Sequence, residues 1–414
     1  MKRVSVLLFI PALLHFNPMN AQTNQWLKDL LLSKAPPLLK RVLNNPDSFQ
    51  YQIIYTQINR DGSNDPYFSN YFVNVDRNRY FNPASTVKLP VILASLDKLN
   101  TVVLNGITKY SFMLTDSSYT GETTALKDST SANGYPSIAH YIKKIFLVSD
   151  NDAYNRLYEF VGQERLNKTL WEKGYKDIRI TRRFTPMTEE ENRHTNSIRF
   201  MNKNKLVYQQ PSENSALQFD FSKRIQFGKG HWNEKDSLIN EPMDFTRHNN
   251  LPLEDLQKLL QSALFPLSVP EKMRFALTKD DERLLLYYMS AYPSESDYPK
   301  YDTTYFDSYA KFFFKHKRQS IPPYMRLFNK PGWSFGFLTD AAYVVDFKNN
   351  IEFMLSATIY VNSDGILNDN KYEYEEIGYP FFNELFNIIY EFELNRKRAY
   401  LPNLQHFNLK YNKK

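Results

Sequence analysis

The 414-residue chain contains no cysteine. That excludes thiol catalysis, disulfide bonds, cysteine-ligated zinc and a lipid-modified anchor cysteine. Glycine is scarce, with 12 in the whole chain, and neither G-x-x-x-x-G-K-[ST] nor G-x-G-x-x-G occurs. A glycine-rich cradle for a nucleotide phosphate is therefore not expected. The seven histidines form no H-E-x-x-H and no close pair at ligand spacing, so no metal and no other cofactor is expected. His140, His194 and His248 read as structural or surface residues. No stretch reaches the roughly 18 consecutive apolar residues that a membrane span requires, which argues against a stable membrane anchor. The formal charge of +7 is modest for this length. It forms no dense basic stripe or recognisable nucleic-acid module, so no nucleic-acid partner is expected. Basic residues do gather after residue 395 (Arg396, Lys397, Arg398, Lys410, Lys413, Lys414), and residues 396–414 read as a basic C-terminal tail.

What the chain does have is apolar content, 42%, and many aromatics, 29 Tyr and 31 Phe. That is ample for one large core or two medium ones. At the N-terminus, Lys2 and Arg3 precede the apolar run Val4 to Leu14, and a more polar stretch ends Met19-Asn20-Ala21. This is the charged, apolar, small-residue order of a secretory signal peptide, with cleavage after Ala21 and a periplasmic or secreted product.

Periodicity then places a helical segment over 22–44, broken at Pro36-Pro37. Strands are predicted over Tyr51 to Ile58 and Tyr71 to Val75. Pro83 disfavours helix before it, so a helix is predicted from near Ser85. Ser137 reads as an N-cap for a helix running to Val148, and a second helix follows Asp152. Residues 177 to 250 are polar and irregular, with hairpin-like pieces at Lys205 to Gln209 and Phe219 to Phe227. Helical patterns resume over Pro252 to Phe265, with Asn250 a candidate cap, and over Lys279 to Met289. Ala341 to Phe347 and Ile351 to Val361 read as a hairpin turned at Lys348-Asn349-Asn350. Glu375 to Leu394 reads as a closing helix. The pattern predicts an α/β (α+β) fold. One antiparallel sheet is built from both chain ends and flanked by helices, with a mainly helical subdomain, about 100–325, inserted within a domain spanning 45–395.

Three short stretches carry chemistry-bearing residues in order. Ser85-Thr86-Val87-Lys88 opens a helix, where residues three apart share a face. A serine hydroxyl needs a nearby base to become a nucleophile, and a desolvated lysine serves. Ser149-Asp150-Asn151 occupies a break between two helices. Lys330-Pro331-Gly332 precedes a strand pair, with Trp333 and Ser334 following. Taken singly, each stretch has an ordinary alternative as a cap, a turn or a surface lysine.

Together they resemble the S-x-x-K, S-D-N and K-T-G set of class A β-lactamases and penicillin-binding proteins. The resemblance implies a β-lactamase/transpeptidase-like fold and an acyl-serine mechanism on a small-molecule or peptide amide or ester. It implies Ser85 as nucleophile, Lys88 as its base or as the holder of the network that takes its proton, and Ser149 as proton donor to the leaving group. Asn151, Lys330, Gly332, Trp333 and Ser334 would line the substrate site. The backbone N–H groups of Ser85 and Trp333 would form the oxyanion hole.

Two departures bear on the substrate. The family's E-x-x-L-N loop pattern is missing, and Thr185, in Thr181-Arg182-Arg183-Phe184-Thr185-Pro186-Met187, falls where the deacylating glutamate is expected. Pro331 replaces the threonine whose hydroxyl helps bind a β-lactam carboxylate. The leading expectation is thus an exported serine hydrolase whose substrate is not an ordinary β-lactam. One alternative is a true class A β-lactamase that draws its base from Glu189, Glu190 or Glu191. Another is a catalytically weak binder of peptidoglycan-like peptides or of a protein.

Overall fold

A computed structural model describes residues 21–102 and 106–412. The signal-peptide reading of residues 1–20, and Lys413 and Lys414, lie outside the described residues. The central sheet has six strands: β1 (Gln52–Arg60), β2 (Pro66–Val73), β3 (Met325–Asn329), β4 (Gly332–Ser334), β5 (Phe337–Asp346) and β6 (Ile351–Tyr360). All pairings are antiparallel, in the order β3-β5-β6-β1-β2, with β4 also on β5. Gln52 pairs with Thr358, so the two ends of the chain are joined inside one sheet.

Every residue of β5 and β6 is buried. Their near-continuous apolar runs are the pattern of strands covered on both faces. Alternate side chains enter different cores, because successive strand residues point to opposite faces. Ala341, Tyr343 and Val345 join one apolar cluster, and Leu338, Ala342 and Val344 the other. The second cluster is covered by α1 (Gln25–Lys34), α2 (Pro37–Leu43) and the closing helix, which follows the π-turn Tyr374–Gly378 and runs Tyr379–Asn395.

The first cluster is covered by α3 (Lys88–Thr101), α4 (Ile138–Val148), α5 (Asn151–Val161), α6 (Gln163–Glu172), α7 (Leu253–Leu264) and α8 (Lys279–Ser290). Helix α3 is its axis. Each residue from Leu89 to Lys98 is buried, as expected of a helix that is apolar on all sides. Pro90 lies in its first turn, where no N–H is needed.

Several elements differ from the sequence expectation. Ser85 lies in a 3-10 turn, Ala84–Val87, and the α-helix proper begins at Lys88. Phe219 to Phe227 forms no hairpin; only Gln226–Phe227 pairs, with Met243–Asp244. Pro252, not Asn250, precedes α7. Residues 396–412 are not a loose tail. Arg396 and Arg398 pair with the buried Glu393, Leu404 and Phe407 are buried, and the Arg326 guanidinium stacks on the Tyr411 ring. Phe407 of that segment reaches the core, while Lys397, Lys410 and Tyr400 face water. Among the described residues no helix is long and apolar enough to cross a membrane.

Candidate active site

The three stretches converge where the sheet meets the helical layer. Ala84, just before Ser85, has φ +43, and its N–H donates to Asn82 Oδ1 at 2.9 Å. A left-handed backbone at a non-glycine residue costs about 1–3 kcal/mol and persists only where its surroundings impose it. The edge strand β4 supplies part of that constraint. A Cβ on Gly332 would stand 2.7 Å from Pro83 O, 2.7 Å from Ser85 N and 2.8 Å from Thr86 N. Only glycine lets the strand lie this close to the serine turn.

Ser149 is the second strained residue. It ends α4 at φ +61 and ψ 39, and its N–H caps the helix on Ile145 O. Asp150 then turns away as the N-cap of α5, accepting from Ala153 N at 2.8 Å. This sharp break places the Ser149 hydroxyl between two buried lysines. Lys330 Nζ donates to Ser149 Oγ at 2.9 Å and Lys88 Nζ at 3.4 Å. Lys88 also donates to Ser149 O, to Asp150 O at 3.2 Å and to Asn151 Oδ1 at 2.7 Å. Lys330 also donates to Pro331 O at 2.8 Å. The Ser85 hydroxyl, half-buried at the head of the site, has no hydrogen-bond partner among the described residues.

The electrostatics follow from burial. Desolvation holds the Lys88 ammonium well below its usual range, the Lys330 cation adds to this, and Asp150 opposes it. Burial likewise lowers Lys330 to about 7, with Asp340 opposing and Lys311 reinforcing. Behind Lys330 lies a third buried lysine. Lys311 Nζ donates to Asn329 Oδ1 at 2.6 Å and Leu327 O at 3.0 Å. Asn329 Nδ2 in turn donates to Asp340 at 2.9 Å, and Phe312 N donates to the same carboxylate at 3.1 Å. Desolvation pushes Asp340 up and Lys311 down. Two buried lysines, Lys311 and Lys330, thus share the buried Asp340, while the carboxylate acting on Lys88 is Asp150. Burying unpaired charge is costly enough that such groups lose their protons instead. Lys88, which does not share that carboxylate, is held well below the usual lysine range by its burial.

Beside Thr185 in the loop, Phe184 lies over Lys88. Its ring centroid lies 4.9 Å from Lys88 Nζ, with Tyr154 at 5.9 Å. Phe184 N donates to Asn155 Oδ1 at 2.8 Å, and Tyr154 OH donates to Arg182 O at 2.9 Å. These long-range bonds set the register of the loop, which spacing along the chain could not. Buried Arg183 closes the loop by donating to His194 O at 2.6 Å and Glu191 O at 3.2 Å, and it pairs with Glu122 and Glu159 at 3.1 Å each. The acidic trio is engaged elsewhere. Glu191 completes a capping box with Thr188, Glu190 meets His194 at 3.0 Å, and Glu189 pairs with Arg247 and Arg193.

Of the residues singled out from sequence, Ser85, Lys88, Ser149, Asn151, Lys330 and Gly332 come together. Trp333 and Ser334 continue the same edge strand, both half-buried. Sequence reasoning missed Phe184, Asn155, Lys311 and Asp340. For Asp340 there was a signal, an acid in the middle of a largely apolar strand.

Residues 39–213 match the model of the Beta-lactamase enzyme family. The chain is similar to the β-lactamase-like serine hydrolase superfamily, in sequence over that stretch and in fold over most of its length. A β-lactamase from Xanthomonas campestris pv. campestris superposes with a TM-score of 0.50 at 12% identity, covering 88% of this chain and 98% of that one. That likeness is one of fold. β-Lactamases from Francisella tularensis (TM-score 0.48, 15% identity, 86% and 97% covered) and Streptomyces albus G (0.45, 12%, 85% and 99%) also match. No curated protein matches the sequence.

Proposed function

We propose that the protein is an exported serine hydrolase that forms an acyl-enzyme on Ser85 with an amide or ester substrate. The observation that carries this reading is the Ser149 hydroxyl held between Lys88 and Lys330, beside a serine turn that a glycine strand touches at its backbone nitrogen. In this reading Ser85 Oγ attacks the substrate carbonyl while Lys88, as free amine, takes its proton. The Ser85 and Trp333 N–H groups receive the oxyanion. Ser149 passes a proton to the departing group, and Lys330 polarises Ser149 and attracts an anionic part of the substrate. Asn151, exposed at the start of α5, binds a substrate amide.

The aromatic ring over Lys88 favours a long-lived acyl-enzyme. Phe184 offers no lone pair to orient a hydrolytic water, and Asp150 is the one carboxylate acting on Lys88 among the described residues. A base so missing typically costs 10²–10⁴-fold in rate. The substrate is accordingly read as something other than an ordinary β-lactam. Export rests on the residue order at the N-terminus and is tested by the mature N-terminus beginning after Ala21.

The central test is covalent labelling with a fluorophosphonate or a labelled penicillin. A mass increment on Ser85, lost in Ser85→Ala, is expected. Lys88→Ala is expected to abolish labelling, since this reading assigns Lys88 as the base for Ser85. Rapid turnover of nitrocefin would overturn the reading of the substrate. Absence of any adduct would overturn the acylation itself.

A further inference from the structure

A second cationic centre lies on the other side of Trp333. The short helix Phe312–Lys315 runs into a 3-10 turn, His316–Arg318. Lys315 is 8% exposed, yet no hydrogen bond or ion pair reaches its ammonium among the described residues. It is surrounded by rings instead, with Nζ 4.5 Å from the ring centroids of Tyr309 and Trp333, 4.8 Å from Tyr379 and 5.3 Å from Phe312. Ring quadrupoles attract a cation but accept its N–H bonds poorly, so the donors stay unspent.

This lysine lines a cavity of about 590 Å³. Lys317 and Arg318, both exposed, line it too, and both hold left-handed backbone at φ +51 and +52. Two consecutive non-glycine residues in that region are strained, and such strain gathers at ligand clamps. The only acid lining the cavity is the exposed Glu375, so three cations face one carboxylate. The Arg318 guanidinium carbon lies over Phe306, 4.9 Å from its ring centroid, which holds the group at the wall. A guanidinium fork so held matches two oxygens of one anionic group.

We propose that this cavity binds a small anionic ligand whose carboxylate or phosphate oxygens are taken by Lys315, Lys317 and Arg318. The aromatic faces of Tyr309 and Tyr379 would receive the ligand's apolar part. Because Trp333 forms one wall around Lys315 and also continues the edge strand at Ser85, occupancy is reported by that indole.

The test is calorimetric titration of the folded protein with inorganic phosphate and, separately, with benzoate, followed in parallel by tryptophan fluorescence. Saturable one-to-one binding of at least one probe is expected. A tighter fit for phosphate marks a phosphorylated ligand, and a tighter fit for benzoate an aromatic carboxylate. Arg318→Ala, at an exposed position, should weaken binding at least tenfold with no change in fold, as should Lys315→Met. Glu375→Gln should tighten it severalfold. Binding of neither probe would overturn the proposal, as would affinity unchanged by both Arg318→Ala and Lys315→Met. The titration is repeated in Ser85→Ala, where binding should persist, so failure of the acylation reading and failure of this one are distinguishable.

Discussion

Substitution of Gly332 by alanine is the sharpest probe of the edge strand. The added Cβ would meet three backbone atoms of the serine turn at 2.7, 2.7 and 2.8 Å. None belongs to a flexible side chain that could swing aside. Ordinary contact begins near 3.4 Å, so strand and turn must separate by about 0.7 Å. Catalytic constellations hold their geometry within about 0.5 Å, and a shift of this size takes one oxyanion donor out of range. Losing one such donor typically costs about 10²–10³ in rate. The strain on stability is smaller, about 1–3 kcal/mol for an overpacked site. The variant should therefore fold, with a modestly lowered melting temperature, and acylate slowly. The assay is the pseudo-first-order rate of Ser85 modification by a fluorophosphonate, read by intact mass, alongside a circular-dichroism melt. Modification within threefold of wild type would refute the assignment of this contact as the support of the oxyanion hole.

Further outcomes follow from the same geometry. Lys330 titrates near 7, so it is charged below and neutral above that pH. Acylation by an anionic penicillin should then fall relative to that by a neutral fluorophosphonate as pH rises from 6 to about 8.5, a range set by the intrinsic width of one titration; identical profiles would count against Lys330 as the anion-attracting group. Phe184→Glu would put a carboxylate beside Lys88, which should shorten the life of the penicilloyl adduct by about 10²-fold or more, measured by decay of the labelled band. Unchanged decay would show that the ring does not occupy the deacylating position. Arg183→Ala leaves Glu122 buried without its partner and Glu159 with Arg156 alone, and should cost about 3 kcal/mol, read in urea unfolding; a loss under 1 kcal/mol would mean the loop is closed by other contacts.

Much of the fold and site could be read from residues alone where the signal is local. The hairpin at Asn349-Asn350 is such a case: Asn350 takes φ +50, a backbone that asparagine tolerates. The S-x-x-K and S-D-N stretches are also local, since each sits on one turn or one helix break. What escaped was set by distant partners. Phe184 faces Lys88 because Asn155 and Tyr154, on another helix, fix the loop's register. Counting along the chain singled out its neighbour Thr185. Lys311 carries no motif, and it becomes part of the electrostatics only once β3 and β5 pair and bring Asn329 and Asp340 together. Residues 396–412 looked solvated by charge, yet Leu404 and Phe407 are buried in the core.

The pairing of Gln52 with Thr358 has a consequence for how the protein comes into being. Strand β1 has its neighbour β6 only when nearly the whole chain has been made. Ser85 and Lys330 depend on the same closure, since the strands that carry Lys330 and Gly332 to the serine turn hang on β5. Contacts so distant in sequence form slowly. A chain cut short before residue 351 therefore carries Ser85 and Lys88 but lacks the β6 strand that joins β5 to β1. In the proposed mechanism, the late-made strands would confer reactivity at Ser85 last, once β5 and β6 have closed the sheet on β1.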